Sequence, residues 1–209
     1  MRRQRARALL VDLDGVLRRF DPAVAAAVEF KYGLDPGELL GTALDWPRLR
    51  AAVTGAVPHV DWMAEVAEVL AERVGGIGNA RAAVSEWQAY RGEVDHALLD
   101  FLREVRATGL PVGLATNSTD RLDADLATLG LNGEFDVVVN SSVIGVHKPA
   151  PEFYARACEA VGVPPEWVLF VDDDDRAVRG ARAARLPAYR WTGAHGLPYV
   201  RAALAIDQS

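Results

Sequence analysis

Short all-apolar runs alternate along this chain with segments whose apolar residues recur every three or four positions. Residues 8–11 (Ala, Leu, Leu, Val) run without polar alternation until Asp12 stops them, which predicts a buried parallel strand. From about Asp21 to Gly92 the texture becomes alanine-rich and helical. Asp61 is expected to cap a segment in which Trp62, Val66, Val69 and Leu70 share a face until Gly75 stops it. After Asn79, a second stripe of Ala83, Trp87 and Tyr90 reads as core. Gly33, Gly37, Pro47 and Pro58 break up the earlier part, so the region predicts a bundle of about four helices.

Beyond Gly92 strands and helices alternate. Asp95 caps a helix carrying Leu98, Phe101, Leu102 and Val105, ended by Gly109. The pattern then predicts strands over 111–115, 135–139, 167–171 and 187–189, with helices over 120–129, 151–161 and 175–184 between or after them. Three successive valines, 137–139, suggest burial on both faces. Such alternation gives an α/β fold, a parallel sheet flanked by helices. Ligands of these sheets sit beyond the carboxyl ends of the strands. Asp12, Thr116 and the Asp172–Asp173 pair all fall there.

Composition narrows the function. A chain of 209 residues suits one domain carrying an insertion. The net charge of −6 argues against non-specific nucleic-acid binding. The basic start, residues 1–7, reads as a solvated tail, because the apolar run behind it is too short for a signal-peptide core. No stretch is long enough to span a membrane. Cys158, the single cysteine, reads as buried filler and fits a cytoplasmic protein. His59, His96, His147 and His195 have no zinc-ligand spacing.

Four stretches carry candidate chemistry. Asp12 and Asp14 alternate in an extended segment, so both carboxylates lean one way before Gly15 turns the chain. They suit a nucleophile with an acid/base, or a pair of metal ligands. Thr116, Asn117 and Ser118 lie between a strand and a helix, where hydroxyl, amide and backbone donors can hold phosphate oxygens while Ser118 or Thr119 caps the helix. Lys148 is one of only two lysines and supplies counter-charge to the acids. Asp172 to Asp175 place four carboxylates in succession, which a divalent cation or a helix N-terminus would offset. Magnesium suits such hard oxygen donors.

These stretches (Val11-Asp12-Leu13-Asp14-Gly15-Val16, Ala115-Thr116-Asn117, Gly145-Val146-His147-Lys148-Pro149 and Phe170-Val171-Asp172-Asp173) resemble, in order, the motifs of the haloacid dehalogenase-like hydrolase superfamily. The resemblance implies a Rossmann-like core over 1–17 and 93–209, with an inserted helical cap over 18–92. It implies Asp12 as a nucleophile forming an aspartyl-phosphate, and Asp14 as general acid/base with its main-chain carbonyl on Mg2+. Thr116, helped by Asn117, would bind phosphoryl oxygens. Lys148 would steady Asp12 and the phosphoryl group. Asp173 would be the main metal ligand of the last motif, with Asp172 direct or through water. The dehalogenases of the family lack a carboxylate at the Asp14 position. The chain departs from the family pattern at Asp174, often a small residue in related chains, and at Ala177, where an Asn or Asp is common.

The expected activity is hydrolysis of a small phosphorylated metabolite, a phosphomonoester, with Mg2+. Alternatives are a phosphomutase, a non-catalytic binding protein of the same fold, and a structural role with incidental activity. Lys31 lies too close to the first motif for the Schiff-base lysine of phosphonate cleavage. Arg18, Arg19, Trp46, Arg48, Arg50, His59 and Trp62 are candidates for the pocket that selects the substrate.

Overall fold

The structure, a computed structural model, describes residues 5–205. Residues 1–4 of the basic start lie outside the described residues. The chain opens with β1 (Ala8–Val11) and a two-residue strand β2 (Arg18–Arg19). Five helices follow: α1 (Pro22–Tyr32), α2 (Glu38–Ala43), α3 (Trp46–Val53), α4 (His59–Leu70) and α5 (Ile77–Ala89). β3 (Glu93–Val94) returns antiparallel to β2, so a short ribbon carries both crossings between the helical insert and the rest.

The remainder runs α6 (His96–Ala107), β4 (Val112–Thr116), α7 (Leu122–Thr128), β5 (Val137–Asn140), α8 (Ser141–Ile144) and α9 (Pro151–Val161). It ends with β6 (Val168–Asp172), α10 (Asp175–Ala183), β7 (Ala188–Arg190) and α11 (Leu197–Leu204). Five strands form one parallel sheet in the order β5-β4-β1-β6-β7.

The all-apolar strands belong to the middle of this sheet. Leu9 and Val11 of β1 join Leu169 and Val171 of β6 in a core roofed by Leu98, Leu102, Val105 and Leu204. Ala8 and Leu10 join Val168 and Phe170 in a second core with Phe153, Tyr154 and Val178. Period-two side-chain alternation thus feeds two apolar layers, with no polar face left over. Local signals set the helix ends. Asp95 accepts the Leu98 amide at 3.1 Å at the start of α6. Pro151 opens α9, and left-handed Gly162 closes it.

Three expectations are revised. The insert holds five helices, because glycine and proline divide 22–53 into three short ones. The N-cap of α4 is Pro58, and Asp61 sits in the first turn instead. β5 is an edge strand with Val138 43% exposed, so the valine run is buried on one side only. The helix α11 and the β2–β3 ribbon lacked a readable pattern. The insert has its own apolar centre around Leu39, Trp62, Val66, Leu70, Ala80 and Val84.

Candidate active site

β4, β1 and β6 lie side by side and end at Thr116, Val11 and Asp172. Asp12, one residue past β1, continues the ladder by donating its amide to the Val171 carbonyl at 2.9 Å. Three strand ends therefore bring Thr116, Asp12 and Asp172 to one edge, all buried.

Lys148 reaches this edge from the loop after α8. Its Nζ donates to Asp172 Oδ2 at 2.6 Å and lies 2.9 Å from Asp12 Oδ1. Burial works against its charge, but Asp12 and Asp172 more than offset that, and its pKa rises. Asn117 holds the lysine in place. The Lys148 amide donates to Asn117 Oδ1 at 2.7 Å, and Asn117 Nδ2 donates back to the Lys148 carbonyl at 3.1 Å. The Asn117 amide, expected on phosphoryl oxygens, is thus turned onto the Lys148 main chain. Two residues that sequence reasoning passed over brace the neighbouring loop: Ser141 Oγ accepts the Ser118 amide at 3.0 Å, and Asn140 Nδ2 donates to the Thr119 carbonyl at 2.8 Å.

Asp12, Asp172 and Asp173 each offer a carboxylate oxygen, and these lie within 4.8 Å of one another. Asp12 Oδ1 is buried and accepts no hydrogen bond, despite its ion-pair distance to Lys148. A clustered, all-oxygen, under-satisfied donor set fits a hard divalent cation such as Mg2+. Asp173 enters through a gap left by Gly15, where φ is +77° and an added Cβ would stand 2.0 Å from Asp173 Oδ2. Burial, then the charge of Asp12, pushes the Asp172 carboxyl up to about 6, against the pull of Lys148. The same two causes raise Asp173. Asp174 caps α10 by accepting the Arg176 amide at 2.9 Å, and Asp175 pairs with Arg179 at 2.7 Å. The last two acids are therefore a helix start.

Asp14 faces a different neighbour. Its side chain is 45% exposed to the cleft, yet the walls around it raise its pKa by lost hydration, opposed by Arg18. Arg18, on β2, donates to both Asp14 oxygens at 2.5 and 3.0 Å and to Asp125 Oδ2 at 3.0 Å. Asp125 also pairs with Arg91 at 3.3 Å and Arg121 at 3.1 Å. One buried carboxylate on α7 thus ties together arginines from three separate segments. No spacing in the sequence announces that group.

Between the helical insert and the strand ends lies a cavity of about 440 Å³. Of the candidate pocket residues, Arg18, His59 and Trp62 line it, while Arg19, Trp46, Arg48 and Arg50 do not. Trp87 and Tyr90, read as core, face it as well. Trp46 instead packs edge-on against His147, with ring centres 5.1 Å apart. Lys31 pairs with Glu86 at 2.6 Å on the insert surface. Cys158 is buried, which pushes its thiol up to about 11.

Residues 6–185 match the family model of the haloacid dehalogenase-like hydrolases. The chain is a haloacid dehalogenase-like hydrolase. It is 30% identical to the phosphoglycolate phosphatase of Escherichia coli K12, over 87% of this chain and 79% of that one. The L-2-haloacid dehalogenase RSc1362 shares the fold at a TM-score of 0.72 and 24% identity, covering 90% of this chain and 87% of that one. The L-2-haloacid dehalogenase from Xanthobacter autotrophicus superposes at a TM-score of 0.65 and 26% identity, over 98% and 84% of the two chains. In this hydrolase no helix among the described residues is long and apolar enough to cross a membrane.

Proposed function

We propose that this hydrolase cleaves a small phosphomonoester with the help of Mg2+, and that the helical insert acts as a cap over the site. The observation that carries this reading is Asp14, a second carboxylate open to the cleft two residues beyond Asp12. A departing alkoxide needs a proton and a departing halide does not. Asp14 therefore favours phosphoryl chemistry over the carbon–halogen cleavage named for the structural neighbours. The similarity to a phosphoglycolate phosphatase points the same way.

In this mechanism an Asp12 oxygen attacks phosphorus as the ester P–O bond breaks, and Asp14 gives its proton to the leaving oxygen. Asp14, now ionised, takes a proton from water, whose oxygen attacks the aspartyl-phosphate. Inorganic phosphate leaves and Asp12 is restored. Lys148 holds Asp12 in line and offsets its charge, while Thr116 offers its hydroxyl to the phosphoryl oxygens. Bound Mg2+, held by Asp12, Asp172 and Asp173 with the Asp14 carbonyl, would neutralise charge on the transferring group.

The test is turnover of an aryl phosphate, a phosphometabolite panel and L-2-chloropropionate, with Mg2+ and with chelator, by wild type and Asp12→Asn. Magnesium-dependent phosphate release that disappears in the variant is expected. Chloride release without phosphate release would replace this reading by the dehalogenase one.

A further inference from the structure

The geometry points to a phosphomonoester whose leaving group is an uncharged aryl or bulky alkyl alcohol, seated in the cavity beside Asp14. This rests on the phosphatase reading above and narrows its substrate. The leaving oxygen must meet Asp14 to collect a proton, and Asp14 lines the cavity. The carbon skeleton behind that oxygen therefore extends into the 440 Å³ space.

The insert wall of that space is apolar: Leu40, Leu44, Leu49, Val53, Trp62 and Met63 face it. Two polar groups of its aromatics already have partners. Trp62 Nε1 donates to the Ala43 carbonyl at 3.1 Å, and the Tyr90 hydroxyl accepts the Asp21 amide at 3.3 Å. Phe20 and Leu44 stay 48% and 53% exposed at this cleft, so apolar surface waits for an apolar partner.

The charged residues on the wall do not favour a second anionic group. Two arginines, Arg18 and Arg91, face three aspartates, Asp14, Asp21 and Asp125. Arg18 is spent on Asp14 and Asp125. Arg91 gives Nη1 to the Gln88 carbonyl at 2.7 Å and Nη2 to Asp125 at 3.5 Å, while its buried Nε lies 3.3 Å from Asp125 Oδ1 without hydrogen-bond geometry. His59 is engaged by Gln88 at 2.7 Å and Thr119 at 3.3 Å, and burial lowers its pKa, so it adds no cation near neutral pH. A carboxylate-bearing leaving group such as glycolate would lose hydration here without gaining a free counter-charge. It would also leave most of the space to water, whereas each apolar methylene buried is worth about three- to fourfold in affinity.

The experiment compares kcat/KM for 1-naphthyl phosphate and 2-phosphoglycolate in wild type and Leu44→Arg, which places a cation on the exposed part of the wall. Binding of the uncleavable analogues benzylphosphonate and phosphonoacetate is followed in parallel by calorimetry. The inference expects wild type to favour the aryl ester at least tenfold in kcat/KM and benzylphosphonate over phosphonoacetate in binding, and Leu44→Arg to shrink both preferences. Turnover of both esters with phosphoglycolate preferred overturns the inference alone. Turnover of neither ester overturns the inference, and silence across the phosphometabolite panel as well overturns the phosphatase reading with it.

Discussion

Arg18 grips both carboxylate oxygens of Asp14 across the turn at Gly15, through Nε at 2.5 Å and a terminal nitrogen at 3.0 Å. The arginine is buried, and its remaining arm holds Asp125 at 3.0 Å. Asp14 is thereby oriented from β2, the strand that leads into the insert, and anchored through Asp125 to α7. The proposed acid/base and the strand leading into the insert share one guanidinium. In the proposed mechanism Arg18 acts through Asp14 as a positioning residue.

Arg18→Ala should lower kcat/KM by on the order of tenfold to a hundredfold, a part of the roughly 10²–10⁴-fold that a placed acid/base contributes. It leaves Asp125 with two arginines and should cost about 3 kcal/mol in urea unfolding, as for other broken buried pairs. Arg18→Lys keeps the charge but not the fork and should fall between. An Arg18→Ala enzyme with unchanged kcat/KM would remove the positioning role.

Asn117→Ala deletes both side-chain bonds to the Lys148 main chain. Two such bonds at a partly buried site should be worth about 1–3 kcal/mol. The expected signature is a fall in kcat with KM little changed, because in the proposed mechanism Lys148 steadies the reacting groups more than the free substrate. A change confined to KM would instead place Asn117 on the substrate.

Stability of the metal-free protein should depend on pH through Asp172. Its folded-state carboxyl lies at about 6, raised by burial and by Asp12, while an unfolded aspartate titrates near ~3.9. The folded state therefore binds the proton more tightly. The contribution is complete below about pH 4 and is lost as pH rises through about 6. Above that, ionised Asp172 repels Asp12, and a divalent cation relieves the repulsion. Thermal unfolding should show a larger Mg2+-induced rise in Tm at about pH 7.5 than at about pH 5. Equal rises at both would argue that the cation does not meet Asp172.

Gly15→Ala should weaken Mg2+ binding. A Cβ there meets Asp173 Oδ2 at 2.0 Å, and φ of +77° adds backbone strain of about 1–2 kcal/mol. Calorimetric titration of Mg2+ into the folded variant measures the effect, and an affinity equal to wild type would show that Asp173 can yield without loss.

Much of the architecture was legible because its signals are local. The runs at 8–11 and 168–171 have no polar alternation, and only a strand buried on both faces requires that. Proline and glycine mark α9 at both ends. The limits of this legibility are also local: the valines of β5 look like those of a central strand, and only strand order makes β5 an edge.

The sequence by itself determined which chemistry-bearing residues follow which strands: Asp12 after β1, Thr116 at the end of β4, Asp172 and Asp173 at the end of β6. Burial periodicity and turn residues are written into neighbouring positions, so those strand ends can be read directly. Tertiary structure alone decided which side chains meet. It set Lys148 between Asp12 and Asp172, turned Asn117 onto the Lys148 backbone, and gathered Arg18, Arg91 and Arg121 around Asp125. It also faced Tyr90 toward a cavity, and set Trp87 between that cavity and the core of the insert. A side chain's partner depends on the crossing of distant segments, and charge pairing across more than a hundred residues leaves no periodic trace in the order of the chain.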